Sequence, residues 1–86
     1  MQYFITFFTH SGAIKFSRML NKKNILNETS PVPRKLSSNC GIGVSLNYDE
    51  DIEELYIEDM ERIYRKSDDK LHAMRQNAGL LLEVLY

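Results

Sequence analysis

One residue in this 86-residue chain has a side chain suited to covalent chemistry by itself, the single cysteine, Cys40. It stands in the stretch 31–43, which also holds both prolines (Pro31 and Pro33) and two of the four glycines (Gly41 and Gly43). A cysteine reacts as its thiolate, and nearby cations or backbone N–H dipoles lower its pKa. Arg34 and Lys35 supply cations close in sequence, Ser37 and Ser38 supply hydroxyls, and Cys40 and Gly41 supply amides. Such a loop suits a thiolate nucleophile that accepts and holds a group, with Arg34, Ser37, Ser38 and Gly41 as anion-binding donors. The competing reading is a small buried hydrophobe, the usual fate of a lone cysteine. The polar, basic, glycine-flanked setting argues against it, since inert cysteines sit more often in apolar runs. Ser37 and Ser38 read equally well as turn residues bonding their own backbone, and Arg34 as the partner of an acid in 49–61.

The rest of the composition narrows the field. A single cysteine leaves no intramolecular disulfide and no Cys-x-x-Cys pair, so a reducing, cytoplasmic setting is expected and a dithiol oxidoreductase is not. His72 has no second ligand at metal spacing, and His10 reads as a strand–helix junction residue satisfying backbone groups rather than one touching a ligand, so neither metal nor cofactor is expected. A metal shared across a dimer is a weaker third reading. Net charge is −1 but uneven. Lys15, Arg18, Lys22, Lys23, Arg34 and Lys35 precede Cys40 against Glu28 alone, whereas Asp49, Glu50, Asp51, Glu53, Glu54, Glu58, Asp59 and Glu61 follow it. This polarity would steer an anionic partner to the basic side, or it is two ordinary solvated faces. Nucleic-acid binding is not expected from this balance. No apolar run reaches membrane-span length, and the N-terminus lacks the features of a signal peptide.

The string Pro33-Arg34-Lys35-Leu36-Ser37-Ser38-Asn39-Cys40-Gly41-Ile42-Gly43 resembles the Pro-Arg-x-[Leu/Ile]-Ser-Ser-x-Cys-Gly signature of the DUF3343 family, small bacterial proteins described as selenium/sulfur carrier-like. Tyr3-Phe4-Ile5-Thr6-Phe7 and Thr9-His10-Ser11-Gly12-Ala13-Ile14-Lys15 resemble that family's first strand and helix opening. The resemblance covers residues 2–48 well, 49–66 loosely and nothing beyond 67. It implies sulfur or selenium transfer, with donor and acceptor proteins as partners.

The elements that must position the loop follow from periodicity. Residues 2–8 are aromatic and β-branched on both alternating faces, as in a central strand covered on both sides. Ser11 is expected to cap a helix over about 12–23, with Ala13, Phe16, Ser17 and Leu20 facing the sheet and Lys15, Arg18 and Lys22 forming a basic outer stripe. His10 sits at that strand–helix junction. Residues 25–30, followed by Pro31 and Pro33, read as an edge strand. Ile42, Val44 and Leu46 alternate with Gly43, Ser45 and Asn47 in a half-buried strand, so Cys40 lies at a strand's mouth. Gly41 and Gly43 would let a bound group approach the backbone closely.

Two readings compete beyond residue 48. Ile52, Leu55, Tyr56, Met60 and Ile63 keep helical spacing and predict one helix over 50–65. The family resemblance instead ends the helix near Ile57 and makes Met60–Arg65 the last strand. Ser67, Asp68 and Asp69 cap a further segment with Leu71, Met74 and Ala78 on one face. The apolar stretch 80–86 reads as a missing last strand, or as a helix that closes the core or forms a homodimer contact. The expected fold is thus α+β: a small ferredoxin-like (split β-α-β) sandwich with a four-stranded antiparallel sheet and two helices. Its domain spans 1–66, with a C-terminal segment at 67–86. Because that architecture hosts many activities, the functional expectation rests on the thiol. The residues themselves point only to an accessible thiol in a basic loop; the resemblance implies that it is a carrier holding sulfur or selenium on Cys40, rather than a turnover enzyme. The alternative is a non-catalytic interaction module binding an anion or protein at the glycine loop.

Overall fold

The structure is a computed structural model that describes residues 1–33, 36, 41–68 and 70–76. Its elements are β1 (Gln2–Phe7), α1 (His10–Lys22), β2 (Asn27–Pro31), β3 (Ile42–Asn47), a 3₁₀ turn (Ile52–Leu55), β4 (Met60–Ser67) and β5 (Lys70–Gln76). All strands belong to one antiparallel sheet in the order β2-β3-β1-β4-β5. The chain is therefore α+β, but with five strands among the described residues instead of four. Among the described residues there is one α-helix where two were expected, so the second helix of a ferredoxin-like sandwich is missing there.

Strand β1 is central, as its apolar residues on both faces require. Tyr3, Ile5 and Phe7 point towards α1 and join a core with Ala13, Phe16, Leu20, Val44, Leu46 and Ile63. The rings of Phe7 and Phe16 meet at 5.5 Å and 45°, the tilted contact aromatic pairs favour. Alternation puts Phe4 and Thr6 on the opposite face. There Phe4, Thr6 and the cross-strand Tyr64 are all buried.

The helix begins earlier than Ser11 suggests. Thr9 is the N-cap, extended at φ −139°, and its Oγ1 accepts from the Gly12 N–H at 3.0 Å. Serine is the slightly better cap in principle; Thr9 wins because β1 ends at Phe7 and leaves only two residues before the first turn. At the other end Asn24 adopts φ +60°, and the N–H groups of Asn24 and Ile25 return to the carbonyls of Asn21 and Leu20. That pair of reversed bonds is the Schellman closure. Asn27 then ties the helix to β2: it accepts from Ser17 Oγ at 2.6 Å and donates to Asn21 Oδ1 at 2.9 Å.

The single helix expected over 50–65 does not form. Asp51 caps only the short 3₁₀ turn, accepting from the Glu53 N–H at 3.0 Å, and Tyr56 is already extended. Met60 and Ile63 do both face the core, three residues apart, but through a β-bulge. Phe7 pairs with Met60 and Thr6 with Arg62, so Glu61 is the extra residue. A bulge inserts one residue into the period of two and thereby imitates helical spacing.

The segment after Asp68 is also strand, not helix. It pairs with β4 through the tight connection Ser67↔Lys70, with Asp68 at φ +50°, a region aspartate tolerates better than most residues. The tail 77–86, with its expected strand, helix or dimer contact, lies outside the described residues.

Candidate functional site

Of the residues singled out by sequence, Cys40, Arg34, Ser37 and Ser38 lie outside the described residues, and Gly41 lies within them. What the structure describes is the mouth that carries them. β2 and β3 form a hairpin, with Pro31 opposite Ile42. The Val32 N–H donates to the Gly41 carbonyl at 3.0 Å and extends the ladder one step past the last strand pair. The Leu36 N–H donates to the Pro33 carbonyl at 2.9 Å, an i→i+3 closure of the kind a turn makes. The prolines suit this position: β2 is an edge strand, where a missing N–H leaves no ladder bond unmade.

The two glycines differ in kind. Gly41 has φ +79°, and a Cβ built on it would meet no atom of the described residues within 4 Å. Its requirement is conformational. Gly41→Ala is therefore expected to fold and to lose about 1–2 kcal/mol, measured by urea unfolding. An unchanged midpoint would show that the loop does not need the left-handed conformation. Gly43 is not the cradle for a bound group that the sequence suggests. A Cβ there would lie 2.6 Å from Phe4 Cζ and 2.7 Å from the Ile5 carbonyl oxygen. The protein's own ring and backbone fill that space.

Around this mouth the charges partly compensate. Lys15 of the basic stripe pairs with Asp59 at 3.2 Å, and Asp59 packs so closely on the first turn of α1 that a Cβ on Gly12 would fall 2.7 Å from its own. The Asp59 carbonyl also takes the Phe8 N–H at 3.0 Å. The acidic stretch is thereby fastened to the basic helix. His10 is the exposed first residue of α1. In the acidic segment the Tyr48 hydroxyl donates to Glu54 at 3.3 Å. Partial burial, then Glu54 and the neighbouring Glu50 and Asp51, hold its phenol above the ordinary tyrosine range.

A groove of about 900 Å³ crosses the sheet face away from α1. It runs from Gln2 and Lys66 to Ser30, Pro31 and Pro33, so one end opens at the mouth of the cysteine loop. On the same face lies a polar group that sequence reading passed over. Thr6 on β1 stands directly across from Arg62 on β4, and Arg62 Nη1 donates to the Tyr64 hydroxyl at 3.4 Å. The available signal was a lone threonine inside an aromatic strand. It carries no meaning until the register places it.

No curated protein and no solved structure matches the chain. A family model described as "Putative Se/S carrier protein-like" matches residues 2–65.

Proposed function

Because the chain belongs to the Se/S carrier protein-like family, we propose that it carries sulfur or selenium as a persulfide or selenopersulfide on Cys40. The observation that carries this reading is the family match itself. It spans 64 residues, from β1 into β4, and encloses the hairpin and its only cysteine. The hairpin mouth adds a fixed frame, with Val32 and Gly41 joined across the base of the loop.

The transfer needs no oxidant. The Cys40 thiolate attacks the outer sulfur of a donor protein's persulfide, forming a new S–S bond as the donor's S–S bond breaks. The electron pair leaves with the donor cysteine, which departs as a thiolate, and the transferred sulfur keeps its proton or releases it to solvent. For selenium the attacked atom is the outer selenium and the balance is the same. Delivery repeats the step with an acceptor thiolate. A resolving cysteine would divert the persulfide into a disulfide, and a chain with one cysteine has none. Arg34, Ser37, Ser38 and the Gly41 amide are the donors that would hold the extra negative charge.

Intact mass after incubation with a cysteine desulfurase and cysteine tests the reading. The native chain is expected to gain one sulfur that reductant removes, and Cys40→Ser to gain none. No adduct on the native chain, together with slow alkylation of its thiol, would make Cys40 structural and leave an interaction module as the better account.

A further inference from the structure

We propose that Thr6, Arg62 and Tyr64 form a binding site for a chalcogen anion, the charged outer atom of the cargo, on the sheet face away from α1. The inference rests on the carrier reading for its ligand, but on separate observations for its place. Thr6 is fully buried and its Oγ1 has no hydrogen-bond partner among the described residues. Burying a hydroxyl unbonded is unfavourable, and a valine of the same shape would fill the position without that cost.

The surroundings suit an anion. Arg62 pairs with Thr6 across β1 and β4, so the two side chains leave the same face of the sheet. The Tyr64 hydroxyl lies within 3.4 Å of that guanidinium, and the Phe4 ring leans over Gly43 on the other side of Thr6. A hydroxyl donor and a cation in a site screened from water bind an anion more strongly than they would in solvent. The apolar ring fits a large, weakly hydrated sulfur or selenium better than a small hydrated anion. Thr6 also lies at the correct end of the sheet. It pairs with Gly43, three positions after Cys40 in the chain. The site would steady the outer atom of a persulfide between loading and delivery.

The test uses the full-length Cys40→Ser chain, which cannot be loaded covalently. Sodium hydrosulfide is titrated in anaerobically while the Arg62 side-chain N–H and Tyr64 ring resonances are followed by NMR. A saturable shift is expected, weakened about tenfold or more by Thr6→Val and retained by Thr6→Ser, which keeps the hydroxyl. Arg62→Gln should weaken it likewise. No shift, a shift indifferent to Thr6→Val, or an equal shift from sodium chloride at the same concentration would overturn the proposal. If Thr6→Val unfolds, the contrast between Thr6→Ser and Arg62→Gln decides. Desulfurase loading of the Cys40-containing chain is measured in parallel. Hydrosulfide binding without loading would overturn the carrier reading and leave the site. Loading that persists at full rate and lifetime in Thr6→Val would overturn the site and leave the carrier.

Discussion

Phe7→Ala is expected to remove about 3–5 kcal/mol of stability. Phe7 ends β1, is fully buried, and meets the Phe16 ring beneath α1. Truncation would leave a ring-sized void between helix and sheet, where α1 and β1 are both anchored and collapse is limited. For a chain of this length the whole folding free energy is about 4–13 kcal/mol, so the loss is a large share of it. Phe8, the next residue and partly exposed, is the internal control: Phe8→Ala should cost far less. Urea unfolding monitored by circular dichroism measures both. Equal losses at the two positions would mean that α1 does not pack on β1 as described.

The second large effect is expected at Gly43. Adding one methyl there forces a Cβ into contact with the Phe4 ring at 2.6 Å and the Ile5 carbonyl at 2.7 Å. The ring can rotate away, but the carbonyl belongs to the central strand and cannot. Gly43→Ala should therefore cost about 1–3 kcal/mol, and Gly43→Val more. Phe4→Leu in the same chain should recover only the part due to the ring, and a double-mutant cycle reads that part directly. Full recovery would locate the conflict in the side chain alone. A tolerated Gly43→Val would mean that β1 and β3 are not paired in the register Thr6↔Gly43.

These two glycines show why the candidate site was only half legible. The sequence marks residues 31–43 as unusual, and the loop does lie between an edge strand and a half-buried one. Yet Gly41 and Gly43 look alike in the sequence. Only the folded backbone shows that Gly41 takes a left-handed conformation, and only pairing with β1 shows that Gly43 makes room for Phe4. Thr6 was invisible for the same reason. Its significance comes from Arg62, 56 positions away in the chain, and from burial on a face that periodicity does not see.

What the sequence determined by itself is what short-range chemistry decides. Apolar residues on both faces make β1 central, and the 3.6-residue spacing of Ala13, Phe16 and Leu20 sets the buried face of α1. The prolines confine β2 to an edge, alternation makes β3, and a lone thiol is left between a basic loop and a glycine. The tertiary structure decided the rest, because the rest depends on which edge is available for pairing. Spacing of three between Met60 and Ile63 satisfies a helix and a bulged strand equally. The open edge of β1, with unpaired N–H and carbonyl groups that need partners, resolves it towards strand. β4 then presents an edge of its own, and Lys70–Gln76 pairs there although Lys70, His72, Ala73 and Met74 are exposed. Among the described residues, backbone hydrogen bonding between distant segments, which no local pattern records, turned the two expected helices into one and the four expected strands into five.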